Sequence, residues 1–89
     1  MSKVFLALQA VEDVKAIVRA IEEDNSNVII EQQPAMIKIT AEGKLVVNAN
    51  TVGKFLGREW DPQEIQLVLI SLAGNVDEDY DHFTIYWEN

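Results

Sequence analysis

A small α/β (α+β) domain of two sub-lobes, β-α-β-β-β followed by α-α-β on a mixed sheet, is the fold this sequence predicts. Three observations carry the prediction. Short apolar stretches near both termini have the length and alternation of strands, and stretches between them repeat at helical spacing. The order strand, helix, strand at the start requires a crossover and so parallel pairing somewhere. A chain of 89 residues is large enough for one domain only, with sub-lobes expected at about residues 1–48 and 49–89. Size scaling puts about 64% of its unfolded surface inside. That leaves little room for an internal flavin, haem or dinucleotide.

The elements follow in order. Lys3–Gln9 alternates Val4, Leu6 and Leu8 on one face with Phe5 and Ala7 on the other. Both faces are apolar, which predicts an interior strand. Val11, Val14, Ile17, Val18 and Ile21 then recur at helical spacing, with Glu12 and Asp13 in the first turn, where the helix dipole favours them. Residues 24–27 stop this helix, because Asp, Asn and Ser side chains compete for backbone hydrogen bonds. Strands are expected at 28–32, 36–41 and 44–47, with Gln33, Pro34 and Ala35 linking the first two and Glu42-Gly43 forming a tight hairpin. Next, Asn50 can cap a short helix bearing Val52, Phe55 and Leu56, closed by Gly57. Gly53 inside it either admits a close neighbour or marks a marginal turn. After an extended link at 58–60, Asp61-Pro62-Gln63-Glu64 combines an Asp cap, Pro at N1 and Glu at N3, the strongest helix start in the chain. A third helix is expected from there to about Ala73, with Gly74 past its end. An acidic loop, 76–82, leads to a last strand, 83–87.

Composition removes several classes of function. There is no cysteine, so disulfides, zinc ribbons, iron–sulfur sites and thiol chemistry are excluded, which fits a cytoplasmic setting. No apolar run approaches membrane-spanning length, and no signal-peptide pattern opens the chain. The net charge is −8, concentrated in residues 45–89, which hold eight acidic and two basic residues. A nucleic-acid binder or a partner of anionic membranes needs a positive footprint, and this chain lacks one. A basic or neutral protein partner suits the polarity better.

Three features bear on chemistry. The third predicted helix is apolar on two sides: Ile65, Val68, Leu69 and Leu72 form one stripe, and Leu67 and Ile70 fall near the opposite side. The second stripe is either buried against the second helix and the strands of 28–47, or is a docking face for another protein. The acidic segment places Asp77, Asp79, Asp81 and Glu88 at calcium-loop positions, but His82 stands where the loop needs glycine and a strand pattern follows. An acidic surface loop is the expected reading. His82 is the only histidine, so zinc, a diiron centre and a Ser–His–Asp assembly with Ser71 and Asp81 all lack partners. Neighbouring Asp81 and His82 are also expected to point apart. No catalytic, cofactor-binding or metal-binding residue is therefore assigned.

AIEEDN (20–25), KLVV (44–47), FLGREWD (55–61), LAGNVDEDYDHF (72–83) and FTIYW (83–87) occur in this order over nearly the whole chain. With these segments the chain resembles the small effector (regulatory, or coupling) proteins of bacterial multicomponent diiron monooxygenases, especially the regulatory components of phenol hydroxylases. The resemblance implies a cofactor-free protein that is not itself an enzyme. It implies docking on the diiron hydroxylase over the helices that hold the metal ligands, so that O2 activation is coupled to substrate oxidation. Electrons would come from a separate flavin/iron–sulfur reductase, whose cofactors belong to that component. It also implies an interface at Ser71, Leu72, Ala73, Gly74 and Asn75, adjoining Leu67 and Ile70. Gly74 would permit close backbone approach to the partner, and Asn75 a hydrogen bond across the interface. Phe55 and Trp60 are read as a small core of the second lobe. The alternatives from the residues alone are a metabolite-binding α/β module and a small enzyme using His82.

Overall fold

The computed structural model describes residues 2–87. In chain order the elements are β1 (Lys3–Gln9), α1 (Val14–Asp24), β2 (Ile29–Gln32), β3 (Met36–Glu42), β4 (Lys44–Asn48) and α2 (Ala49–Leu56). A 3₁₀ helix (Pro62–Leu67), β5 (Leu69–Ala73), β6 (Asn75–Glu78) and β7 (His82–Tyr86) complete them. A four-stranded sheet runs β2-β3-β1-β5 and a three-stranded sheet runs β4-β7-β6. This is an α+β fold.

β1 is central, as its two apolar faces predict: it pairs with β3 over its full length and with β5 on its other side. The expected parallel pairing is corrected, since all of the described strand pairs are antiparallel. The crossover through α1 is real. β1 and β2 run in the same direction, but β3 lies between them and pairs antiparallel with both. The sheets are therefore antiparallel rather than mixed.

Glu42-Gly43 is a sharp turn but not a hairpin. β3 belongs to one sheet and β4 to the other, so the chain changes sheets at Gly43, whose φ is +76°. The chain returns through α2 and the 3₁₀ helix, then makes the same switch again at Gly74, φ +136°, between β5 and β6. Strands that switch sheets at a bend are how two sheets share a corner. The two halves of the chain therefore contribute to both sheets.

The largest departure concerns the third helix. Its capping box forms as read: Gln63 N donates to Asp61 Oδ1 at 2.9 Å, and Asp61 N donates to Glu64 Oε2 at 3.1 Å. The helix is 3₁₀ and ends at Leu67, and 69–73 is strand β5. A cap fixes only where a helix starts. The continuation is decided by β1, whose second edge would otherwise leave its backbone groups unpaired beside the core. The acidic segment is likewise partly strand, with β6 paired along β7. Charges are tolerated there because β6 is an edge.

α1 packs Val14, Ile17, Ala20 and Ile21 into the core. It begins at Val14, so Val11 lies in the preceding turn and is exposed. α2 starts one residue before the expected cap: Asn48 is the N-cap, its side chain donating to Asp24 rather than capping the helix, and Ala49 N donates to Asp81 O at 2.9 Å. Gly57 closes it with φ +78°. Gly53 does admit a close neighbour, because a Cβ there would lie 2.7 Å from the Arg58 carbonyl oxygen. One continuous core joins Leu6, Ile17, Ile39, Leu45, Val52 and Phe83. Trp60 belongs to that core and Phe55 packs at its margin, its ring under the Arg19 guanidinium at 4.7 Å.

Two quoted motifs turn out to be stitching. Asn25, which ends AIEEDN, donates through Nδ2 to the carbonyls of Ile21 (2.9 Å) and Val46 (2.8 Å) and accepts from Val46 N (3.0 Å). Its amide thus satisfies the free edge of β4. Arg58 of GREWD donates to both carboxylate oxygens of Glu64 at 3.1 and 3.2 Å, and lies 3.6 Å from Asp13 at the start of α1.

Candidate protein-docking site

The residues singled out in the sequence lie along β5, the start of β6 and the end of the 3₁₀ helix. Leu67 is 75% exposed and Ile70 is 47% exposed. Both are accessible, but not as the outer stripe of an α-helix. Leu67 protrudes where the 3₁₀ helix ends. Ile70 is the extra residue of a β-bulge: Ser71 pairs with Ala7 and Leu69 with Leu8, so Ile70 has no partner on β1. A bulge re-aims a side chain out of the regular pleat.

The rest of the segment divides by burial. Ser71 and Asn75 are exposed, whereas Leu72, Ala73 and Gly74 are half-buried. Leu72 pairs with Leu6 and packs against the core. Gly74 answers a different need from the one expected. A Cβ there would collide with Ile85 Cγ2 and lie 3.1 Å from Val4 Cγ1. Its bareness is used inside the molecule, where the corner strand crosses the core. β5 and β6 are edge strands of their respective sheets, joined end to end at Gly74. The result is an exposed ribbon running across both sheets.

Other exposed groups lie outside the sequence-based set. Val76 on β6 is 46% exposed and Tyr80 at the β6–β7 turn is 84% exposed. Both lie inside the quoted LAGNVDEDYDHF segment, where an apolar residue amid carboxylates was the available signal.

Asp77, Asp79 and Asp81 do not converge. Asp79 Oδ1 accepts from Tyr80 N at 2.7 Å, Asp81 Oδ1 lies 2.9 Å from His82 Nδ1, and Asp77 Oδ2 lies 3.4 Å from His82 Nε2. Glu88 lies outside the described residues. Asp81 and His82 touch rather than point apart, because Asp81 lies in the turn before β7 begins. Both ring nitrogens face carboxylates, so both act as donors only in the imidazolium form. Accordingly the His82 pKa is raised above its ordinary value, chiefly by the hydrogen bond to Asp81 and further by Asp77.

The main concavities are open surface grooves of roughly 380 to 660 Å³ rather than closed pockets. Among the described residues, no helix is long and apolar enough to cross a membrane. What the surface offers is an exposed edge ribbon bearing large apolar side chains.

The sequence profile of the MmoB/DmpM family matches residues 2–86. The chain belongs to the MmoB/DmpM family. The stimulatory component DmpM of phenol 2-monooxygenase from Pseudomonas sp. (strain CF600) is 42% identical over 88 residues, covering 99% of this chain and 98% of that protein. Among solved structures, chains of two phenol hydroxylase–regulatory protein complexes are similar. One has 46% identity and a TM-score of 0.92, covering 98% of this chain and 100% of that one. The other has 44% identity and a TM-score of 0.88, covering 97% and 100%. The soluble methane monooxygenase regulatory protein B shares the fold, with 24% identity and a TM-score of 0.76 over 97% of this chain and 65% of that one.

Proposed function

We propose that this MmoB/DmpM-family chain is the non-catalytic regulatory component of a multicomponent phenol hydroxylase. It binds the diiron hydroxylase and promotes coupled O2 activation and aromatic hydroxylation. The observation that carries this reading is end-to-end similarity: 42% identity to a phenol 2-monooxygenase stimulatory component across 99% of the chain. Its docking face is the ribbon from Leu67 to Asn75. Leu67, Ile70, Ser71 and Asn75 make the contact, and Leu72, Ala73 and Gly74 hold them in place. The exposure of two large apolar side chains at one bulged edge supports that choice.

Such a protein acts through a difference in binding. Contacts that are equally good with the resting and reactive hydroxylase would change nothing. Moving a resting enzyme from 1:99 to 99:1 requires about 5.5 kcal/mol of differential affinity. A few desolvated apolar groups with hydrogen bonds at an exposed strand edge are of that order. Cooperation with a flavin/iron–sulfur reductase, in the cytoplasm, belongs to the same proposal.

The test is turnover of phenol by hydroxylase and reductase, reconstituted with and without this chain, reading product formed per reductant consumed. The chain is expected to raise both rate and yield. Equal values in its presence and absence would reject the reading. Leu67→Asp and Ile70→Asp should each remove most of the stimulation while leaving the thermal midpoint unchanged, because both side chains already lie at the surface.

A further inference from the structure

A second apolar surface lies around the end of the sheet from Leu67. Val18 of α1, Ile30 of β2 and Ile37 of β3 line a groove of about 380 Å³, with Val11 at its mouth. Lys15 and Arg19 stand at the rim, and no carboxylate lines it. In a chain of net charge −8 this is a locally positive site. Glu12 shares the Lys15 charge at 3.5 Å with both side chains largely exposed, Glu22 follows Arg19 by one turn of α1, and Glu31 alternates to the other sheet face, opposite Lys38.

The groove lies at the same end of the four-stranded sheet as Leu67 and Ile70. Gln9 N donates to Val68 O at 2.8 Å, and Ala10 N donates to Ala35 O at 3.2 Å. These two bonds seat the β1–α1 turn, the β2–β3 turn and the Leu67–Ile70 segment at one end of the four-stranded sheet. An interface of standard size takes about 800 Å² from each partner, a patch roughly 28 Å across. The whole molecule measures 36 × 30 × 22 Å. A partner centred on Leu67 and Ile70 therefore extends over this end.

We propose that the α1–β2 groove is a second anchor of the hydroxylase interface, receiving an apolar hydroxylase side chain flanked by carboxylates. This rests on the docking reading above. Area sets the reach of the partner. The apolar lining and the Lys15/Arg19 rim set the chemistry of the group that fits.

The test is titration of the diiron hydroxylase with the full chain and its variants at low and moderate salt. Val11→Asp should raise Kd by about tenfold, because it places a carboxylate at an apolar mouth facing carboxylates. Lys15→Glu changes only an exposed side chain, so its folding is secure. It should weaken binding about threefold or more and flatten the salt dependence. Ile29→Asp, at the far end of β2 on the opposite face, should bind as the parent does. If Val11→Asp and Lys15→Glu both bind normally while Leu67→Asp binds weakly, the groove proposal is overturned and the docking ribbon stands. If Leu67→Asp also binds normally, the docking ribbon fails with it.

Discussion

Replacing Gly74 by alanine distinguishes a residue kept bare for the fold from one kept bare for a partner. Its φ of +136° is a conformation that side chains rarely adopt, and a Cβ there collides with Ile85 Cγ2 and crowds Val4 Cγ1 at 3.1 Å. Ile85 and Val4 are both fully buried, so neither can swing into solvent. Backbone strain of this kind costs about 1–3 kcal/mol, and overpacking a core methyl costs about 1–3 more. The loss of unfolded-chain freedom returns about 0.4–1 kcal/mol. The net expectation is a destabilisation of about 1–6 kcal/mol. A domain of this size has only about 4–13 kcal/mol in total. Urea unfolding followed by the fluorescence of buried Trp60 reads this directly, and the thermal midpoint should fall by about 4 °C or more. A change below about 0.5 kcal/mol, together with lost stimulation of the hydroxylase, would refute the reasoning. Gly74 would then be bare for the partner, as the family resemblance first suggested.

Other outcomes follow from the same structure. Asn25→Ala removes a side chain with bonds to Ile21 and Val46 that satisfies the edge of β4. A loss of about 2–3 kcal/mol is expected, with faster hydrogen exchange at the Val46 amide; unchanged exchange there would count against the stitch. The raised pKa of His82 means that its charged form favours the folded state. That contribution is complete below the ordinary histidine pKa of about 6.5 and is lost as pH rises through the higher folded value. The midpoint difference between the parent and His82→Gln should therefore shrink as the pH is raised from below about 6.5 into the alkaline range. A difference that stays constant across this range would show that the imidazolium clamp is absent. Phe83→Ala opens the centre of the common core, and a loss of about 3–5 kcal/mol is expected from chemical denaturation.

The exposure of Leu67 and Ile70 is legible in the sequence, but for a mistaken reason. The apolar spacing predicts that both lie on the outer side of a helix. They are exposed because the helix stops at Leu67 and a bulge turns Ile70 outward. Both are therefore exposed for reasons of tertiary geometry rather than helical spacing. The groove at Val11 was missed, since Val11 fits a helical period and only the observed start of α1 at Val14 leaves it at the surface.

Local chemistry alone determined β1 as an interior strand, the body of α1, the Asp61–Glu64 cap and the glycine-closed end of α2. Each depends on neighbours a few residues away. Tertiary structure decided whether 69–73 is helix or strand, which strands pair, and what Gly43 and Gly74 are for. Those outcomes depend on satisfying the second edge of β1 and carrying the chain between two sheets over one core. Such demands come from residues distant in sequence, and no local pattern records them.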